Sequence, residues 1–409
     1  MLRSEHWEMF GLEDTKLLDF IVEICDTIGV RPPGSEAERK TAEIIAERLR
    51  KYCDEVSVEE FVTCPRVLQN LIDFVVYSYL VALVLYLFFP YLSAALVAVG
   101  ISIFYLTRFR GKEILDKFAR KAKSQNVIGR IKPTGGVKKY VIFSGHHDSA
   151  YMMPLFQPKY LRHVPLIQNM GVVGAISLLI LSVLKSLVIL GVKFLDWRLF
   201  FEISIYDLLM VIPLIGLFFA LFFKLKMVTN IPVMGANDNL SAVAVVLGLA
   251  EVVAKNRPKN VEVLLVSFGS EEPGLKGSRR FVEMHPDIAK NAYLVNLEML
   301  GSGELFIDLE EKSIGVKHSK ELAEIVKKAG EEAGLKVDTI ALPYGDTDAA
   351  SFSRKGFHAV TIIALSPRFE LAKWHLPDDV PENISEENLQ KALKLCKATL
   401  EAIDKKLEK

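Results

Sequence analysis

Residues 140–149 read Tyr-Val-Ile-Phe-Ser-Gly-His-His-Asp-Ser. The run from Tyr140 to Ser144 consists mostly of residues that favour β-strands, and it stops abruptly before His146 and Asp148. In α/β folds, binding sites gather where strands end. An imidazole at this position can bind a metal ion, and a carboxylate two residues further on can hold the ring in place. The stretch therefore predicts a strand that carries a metal ligand to the edge of a sheet.

Further metal-binding side chains follow at the ends of other strand-like or turn segments. These segments are Gly235-Ala-Asn-Asp238-Asn239, Ser270-Glu271-Glu272-Pro-Gly274, Tyr293 to Glu298, and Trp374-His375-Leu-Pro-Asp378-Asp379. A two-zinc hydrolytic centre needs nitrogen and oxygen ligands, a carboxylate that bridges the two ions, and an unligated glutamate that acts as a base. The chain supplies all of these residue types, and each lies where a strand or turn ends.

The order of these motifs resembles the co-catalytic dizinc aminopeptidase family, which also contains glutamate carboxypeptidases, glutaminyl cyclases and the inactive nicastrin-like proteins. The motifs are His-x-Asp, Asn-Asp-Asn, Glu-Glu-x-Gly-Leu-x-Gly-Ser, Leu-Glu-Met-x-Gly and His-x-Pro-Asp-Asp. The resemblance covers residues 10–65, 125–150 and 232–405. It implies an α/β fold of the zinc exopeptidase type, with a mixed central sheet and helices on both faces.

By this resemblance, two zinc ions are bound by five side chains. Asp238 bridges the two ions, His146 and Glu298 complete one site, and Glu272 and His375 complete the other. Cobalt or manganese can substitute for zinc, because the ligand types alone do not exclude them. The family often has an aspartate where Glu298 stands, so the coordination at that position can differ.

The resemblance also assigns two catalytic roles. Glu271 is expected to act as the general base that takes a proton from a water activated by the metals and passes it to the leaving amine. Asp148 is expected to hydrogen-bond the far nitrogen of His146 and to fix its tautomer.

Three further residues near the motifs have less definite roles. His147 is expected to point away from its neighbours and to serve packing or an outer-shell role rather than coordination. Asp348 falls where relatives carry Ser-Asp-His and is a candidate for the pocket wall, although Ala349 replaces the histidine. Trp374 stands where several relatives have a tyrosine that assists the tetrahedral intermediate. An indole cannot accept a hydrogen bond or titrate, and a core tryptophan is an equal alternative.

Two apolar blocks interrupt the resemblance. Residues 74–107 contain no charged side chain and turn at Pro90, which predicts a transmembrane hairpin; a buried pair of core helices is the alternative. The second block runs from Val164 to Leu184 and from Leu208 to Phe223. It predicts a second hairpin whose far turn, with Trp197 and Lys193, lies at the membrane interface. The boundary near Lys185 is open.

Basic residues lie beside the spans on the side where the chain returns to the rest of the protein. They are Arg108, Arg110, Lys112, Lys117, Arg120, Lys121 and Lys123 after the first hairpin, and Lys159, Arg162, Lys224 and Lys226 around the second. This bias predicts that the peptidase domain is cytoplasmic. We also expect residues 117–123 to form a basic helix.

The connections predict that both apolar blocks are inserted at the sheet edge that carries the metal ligands. Val127 to Ile131 and Tyr140 to Ser144 flank a turn at residues 133–136, which predicts a β-hairpin whose first strand begins beside His146. The second block leaves directly after Asp148. We therefore expect the active site to face the bilayer. The expected domains are residues 1–66, 125–158 and 231–409 for the peptidase, with 67–124 and 159–230 as membrane hairpins.

Composition bounds the remaining alternatives. The 409 residues include 50 basic and 50 acidic side chains, so overall charge indicates no nucleic-acid partner. The first residues have no apolar core after the basic residue, so we expect no cleavable signal peptide. The four cysteines lack CxxC spacing and are expected to be buried thiols rather than ligands or disulfides.

The leading hypothesis is a multi-pass membrane zinc aminopeptidase whose partners are peptide substrates and the lipid bilayer. A carboxypeptidase or amidohydrolase on the same centre, and a non-catalytic nicastrin-like scaffold or receptor, are the alternatives.

Overall fold

The computed structural model describes residues 16–192, 198–200, 203–366 and 373–408. The chain forms two compact units. The sheet unit comprises Met1–Pro65, Arg120–Tyr151 and Ile231–Lys409, and the helical unit comprises Arg66–Ala119 and Met152–Asn230. Each unit is therefore assembled from separate segments of the chain.

Eleven strands are present in the described residues. They are β1 (Glu55–Thr63), β2 (Ala122–Ile131), β3 (Lys139–His146), β4 (Arg198–Phe200), β5 (Ile203–Ser204), β6 (Val261–Phe268), β7 (Ala292–Glu298), β8 (Glu304–Glu311), β9 (Val316–Lys317), β10 (Asp338–Leu342) and β11 (His358–Leu365).

Fourteen α-helices are also present in the described residues. They are α1 (Leu17–Thr27), α2 (Glu36–Leu49), α3 (Val67–Phe88), α4 (Pro90–Arg108), α5 (Pro158–Leu161), α6 (Val164–Ile189), α7 (Ile205–Leu208), α8 (Val211–Met227), α9 (Ser241–Lys255), α10 (Lys276–Met284), α11 (Pro286–Asn291), α12 (Lys320–Glu332), α13 (Ala349–Ser353) and α14 (Glu386–Lys406).

The sheet unit is built on a mixed sheet with the strand order β1-β2-β6-β3-β7-β11-β8-β10, and β9 pairs with β8. The central strands β6, β3, β7 and β11 are parallel, whereas β2 and β8 run antiparallel to their neighbours β6 and β11. Strand β6 is buried along its whole length, as expected for a strand that is covered on both faces. The predicted mixed α/β sheet is confirmed.

Two apolar clusters cover the two faces of this sheet. The larger contains Phe143 of β3 and the buried sides of α1, α2, α9, α12 and α14. The smaller contains Ile142 of β3 together with Phe281 of α10 and Phe352 of α13. Adjacent residues of β3 thus pack into opposite clusters, because successive side chains of a strand point to opposite faces.

The predicted hairpin of β2 and β3 is wrong. Strand β6 lies between them, antiparallel to β2 and parallel to β3. Strand β6 is buried and mostly apolar, and its backbone pairs on both edges. The turn pattern at residues 133–136 contains no information about this third strand. The two strands still run in opposite directions, so β2 begins at the sheet edge where β3 ends.

The predicted basic helix over residues 117–123 is also wrong. Only a single 3₁₀ turn, Leu115–Lys117, forms there, and β2 begins at Ala122. Lys123 pairs with Val62 of β1 in the ladder, and its ammonium contacts Glu60. Pairing with β1 therefore overrides the local pattern.

The helical unit contains four long apolar helices, α3, α4, α6 and α8, at the positions of the two predicted hairpins. Gly174 of α6 lies against Gly216 of α8, where a β-carbon on either residue would come within 2.5 Å of the other's backbone. The Tyr79 hydroxyl donates to the Pro213 carbonyl at 2.6 Å. Small residues at a crossing let helix backbones approach closely, as is common between helices in membranes.

Five described helices are long and apolar enough to cross a membrane. Four belong to the helical unit. The fifth contains α9, whose side chains are buried in the larger cluster of the sheet unit. Lys185 lies within α6, near its end, and pairs with Asp207 at 2.7 Å. The expected interfacial residues Lys193 and Trp197 lie outside the described residues.

The four cysteines are free thiols. Cys25, Cys64 and Cys396 are buried, and Cys53 is partly buried.

Candidate metal centre

The predicted ligands converge on one edge of the sheet unit. His146 ends β3 and Glu298 ends β7, while Glu271 and Glu272 follow the end of β6. These three strands are parallel neighbours, so their carboxyl ends meet at the same edge. Asp238 lies in the turn that leads into α9.

The first group of side chains surrounds the ring of His146. Its Nε2 atom lies 3.1 Å from Asp238 Oδ1 and 3.6 Å from Glu298 Oε1. Glu271 Oε2 lies 3.8 Å from the same nitrogen. One ligand atom each from His146, Asp238 and Glu298 lies within 4.8 Å of the others.

The second group lies on the other oxygen of Asp238. His375 Nε2 is 3.0 Å from Asp238 Oδ2 and 3.2 Å from Glu272 Oε2. Asp238 therefore presents one oxygen to each histidine. Ligands bound at 2.0–2.1 Å in a tetrahedron lie about 3.3 Å apart, which matches the separations in both groups.

The backbone around the ligands adopts conformations that most residues avoid. Ser270, Met299 and His375 have positive φ angles of 49°, 49° and 53°. Such angles are uncommon outside glycine and cluster at functional sites. Gly235 has a φ of 65°, and a β-carbon there would lie 2.5 Å from the Asp238 carbonyl oxygen and 2.8 Å from the Ser149 β-carbon. Glycine is thus required where the turn closes over Asp238.

Two buried aspartates hold these backbone segments. Asp148 Oδ1 is 3.3 Å from His146 Nδ1, and the Asp148 carboxylate also accepts the backbone N–H groups of Glu271 (3.0 Å) and Glu272 (3.1 Å). Asp379 accepts the backbone N–H of Asp238 at 3.0 Å and that of the preceding residue at 2.6 Å. Each aspartate therefore positions one or more of the convergent side chains.

Arg31 joins three segments beneath the centre. Its side chain is fully buried and donates four hydrogen bonds to backbone carbonyls, those of Gly29 (2.7 Å) and of His147, Met234 and Gly235 (2.9 Å each). The guanidinium thus fixes the segments that carry His146 and Asp238. The sequence pattern predicted no role for Arg31, a single polar residue without a periodic signal, and included Asp379 only as the last residue of the His-x-Pro-Asp-Asp motif.

The pKa values of the centre are shifted because several carboxylates lie close together and away from water. Burial raises the pKa of Glu271 well above its usual range, and that of Glu298 to about 8. Burial alone would lower the pKa of His375, but Glu272 and Asp238 raise it to about 10. Such a group of acids in a dry site attracts positive charge.

The donor set fits zinc. It offers two imidazole nitrogens and carboxylate oxygens, the ligands that zinc takes in hydrolytic sites. Two buried oxygens, Glu272 Oε1 and Glu298 Oε2, have no hydrogen-bond partner among the described residues. Buried carboxylate oxygens are costly unless they are paired or bind a metal. These residues therefore have unused acceptor capacity directed at the centre.

The three less definite residues lie around this centre. His147 is buried and contacts Ser267 Oγ (2.9 Å) and Gln125 Nε2 (3.2 Å), and burial lowers its pKa to about 3. Asp348 is fully buried at the start of α13, and burial raises its pKa to about 7. Trp374 packs on a small apolar cluster that includes Met299.

Known proteins share this fold. The structure resembles a zinc aminopeptidase from Bacillus subtilis, BSAP, with a TM-score of 0.55 and 18% identity over 94% of this chain and 93% of that one. A glutaminyl cyclase from an Acidobacteriales bacterium matches with a TM-score of 0.54 and 14% identity over 96% and 94%. At these identities the likeness concerns the fold, and the fold is that of the zinc aminopeptidases.

Sequence comparison finds similarity over part of the chain. Residues 224–400 match the Peptidase family M28 model. Aminopeptidase YwaD of Bacillus subtilis (strain 168) is 32% identical over 183 residues, which is 42% of this chain and 38% of that protein. A probable zinc metalloprotease of Pyrenophora tritici-repentis is 35% identical over 71 residues, 17% and 16% of the two chains. Residues 224–400 are therefore similar to Peptidase family M28, and the resemblance predicted from the five motifs is confirmed.

Proposed function

We propose that the chain is a membrane-embedded dizinc aminopeptidase that removes N-terminal residues from peptides. The observation that carries this proposal is the position of Asp238, whose two oxygens lie 3.1 and 3.0 Å from the Nε2 atoms of His146 and His375. A carboxylate that presents one oxygen to each of two histidines is suited to bridge a pair of metal ions. The family match and the fold support a zinc peptidase of this kind.

The chain's own residues account for the proton transfers. When bound, a zinc pair supplies Lewis acidity that lowers the pKa of water and polarises the scissile carbonyl. Glu271 is the proton acceptor, since its carboxylate lies at the centre and burial raises its pKa, so that it can later give the proton to the leaving amine. The Asp148 carboxylate accepts the backbone N–H of Glu271 and also contacts the ring of His146. It therefore fixes the position of the base relative to this metal ligand.

The preference for aminopeptidase over carboxypeptidase activity rests on the relatives. YwaD and BSAP carry that activity in their names, whereas the centre itself supports hydrolysis at either end of a peptide.

Membrane embedding is supported by the four apolar helices of the helical unit and by the basic residues next to them. We propose that the peptidase domain is cytoplasmic, on the positive-inside bias. In the sheet unit, the chain leaves and returns at the edge of the metal centre: Thr63 pairs with Ala122, and Val233 N–H donates to the Ala150 carbonyl at 3.0 Å. Peptides at the membrane surface are therefore the substrates we expect.

The test is a panel of aminoacyl fluorogenic substrates and their N-blocked counterparts, assayed with zinc and with a chelator. Cleavage of the free-amine substrates alone, lost on chelation, would support an aminopeptidase. Cleavage from the carboxyl end would favour a carboxypeptidase, and cleavage of N-acyl substrates would favour an amidohydrolase. A folded protein without metal and without activity would support the scaffold alternative.

A further inference from the structure

A second group of metal-binding side chains lies in the sheet unit, apart from the Asp238 centre. Asp308 and Glu311 lie on β8, and His318 follows β9, which folds back onto β8. His318 Nε2 is 3.1 Å from Glu311 Oε1 and 3.6 Å from Asp308 Oδ2. All three side chains have 0% exposure, and one ligand atom from each lies within 4.8 Å of the others.

The hydrogen bonds of the two carboxylates are one-sided. Asp308 Oδ1 accepts the N–H of Glu310 (3.2 Å) and Leu342 (3.0 Å). Glu311 Oε1 accepts both the N–H and the hydroxyl of Thr347, at 3.2 and 2.6 Å. Among the residues that the structure describes, Asp308 Oδ2 and Glu311 Oε2 accept no hydrogen bond. Each carboxylate thus has one anchored oxygen and one buried oxygen without a donor, which is costly unless a cation is bound.

The histidine is held in the manner of a metal ligand. Its Nδ1 atom lies 2.8 Å from Ser353 Oγ, so a proton on Nδ1 can be donated to the hydroxyl. With the proton there, the Nε2 lone pair faces the two carboxylates; with the proton on Nε2, that nitrogen donates to Glu311 Oε1 at 3.1 Å instead. Ligating histidines almost always use the other ring nitrogen for such a hydrogen bond, which fixes the tautomer.

The charge of the group supports the same conclusion. Two carboxylates and a neutral imidazole carry a charge of −2 in a fully buried space, and a protonated imidazole still leaves −1. A divalent cation brings the sum to zero. The nitrogen ligand favours zinc and related transition metals over calcium, which takes oxygen ligands.

We infer that Asp308, Glu311 and His318 bind a divalent transition metal, with zinc as the ion to test, at a site separate from the proposed dizinc centre. The ion would join β8 to β9. Through the two contacts of Thr347 with Glu311, it would also fix the loop that ends at the buried Asp348. The alternative is that no metal binds and that a protonated His318 pairs with the two buried carboxylates.

The test measures zinc per chain in the full-length, zinc-loaded protein. In the His146→Ala/His375→Ala double variant, which removes both imidazoles of the other centre, we expect one equivalent of zinc to remain. Addition of His318→Gln should remove that equivalent. Asp338→Asn, at a half-exposed position on the neighbouring strand β10, is the matched control and should leave it in place.

No zinc in the double variant, or an equivalent that survives His318→Gln, would overturn the inference. If the multiple variants do not fold, Asp308→Asn in the otherwise unchanged chain serves instead, because the amide keeps the anchored oxygen. It should lower the zinc content by one equivalent, and an unchanged content would refute the site. None of these measurements depends on peptidase activity, so failure of the proposed function would be distinguished from failure of this site.

Discussion

Arg31→Met is the substitution whose effect follows most directly from the structure. The guanidinium is fully buried and donates four hydrogen bonds to carbonyls of three segments. A hydrogen bond from a charged group contributes about 1.5–3 kcal/mol, and a buried acceptor left unpaired costs about 1–3 kcal/mol. Because the four contacts share one side chain they do not add fully, and we expect a loss of at least about 4 kcal/mol of stability.

The assay is thermal unfolding of the purified full-length protein at fixed zinc, followed by circular dichroism. With about 2.1 cal/mol/K of unfolding entropy per residue over the 409 residues, a loss of this size corresponds to a fall of about 5 °C or more in the unfolding temperature. Zinc affinity should fall as well, since the segments that carry His146 and Asp238 lose their common anchor. Arg39→Met is the matched control, because Arg39 is half exposed and pairs with Glu36 and Glu43 on its own helix.

An unfolding temperature of Arg31→Met within 2–3 °C of the wild type, beyond the shift in the control, would refute this reasoning. It would mean that water or backbone rearrangement satisfies the four carbonyls, and that Arg31 does not hold the centre together.

Three further predictions concern the base, a buried acid and the membrane orientation. Glu271→Gln should retain zinc and lower kcat by about 10²–10⁴; wild-type turnover would exclude Glu271 as the base. Burial raises the pKa of Glu38 to about 8, so the folded state keeps a proton that the unfolded chain loses near its usual value of 4.5. Stability should therefore fall as pH rises between these values, by at most about 1.4 kcal/mol per pH unit; parallel unfolding curves of Glu38→Gln and wild type from pH 5 to 9 would contradict this. Cysteines introduced at Arg110 and Lys226 should be labelled only after cells are opened, and labelling of intact cells would reverse the proposed orientation.

The fold and the convergent side chains could be predicted from the sequence because each ligand lies at the end of a strand or turn. His146 and Glu298 end parallel strands, and the strand order alone brings them together. The apolar helices could also be predicted, because the conformation of a long uncharged run depends little on tertiary contacts.

The errors have physical causes. The pairing of β2 with β6 could not be predicted from the neighbouring sequence, because β6 lies more than a hundred residues further along the chain. Strand β8 was not predicted because its sequence is rich in acidic residues, two of which, Asp308 and Glu311, are buried by contacts that form only in the fold. Arg31 acts on carbonyls of four residues, and a backbone carbonyl has no signature in a sequence.

Diffraction from zinc-loaded crystals, with an anomalous map calculated at the zinc edge, would show directly whether the Asp238 centre holds two ions. We expect two peaks there, one beside each carboxylate oxygen, with His146 on one ion and His375 on the other. A single peak, or none, around Asp238 in fully loaded protein would contradict a two-metal centre.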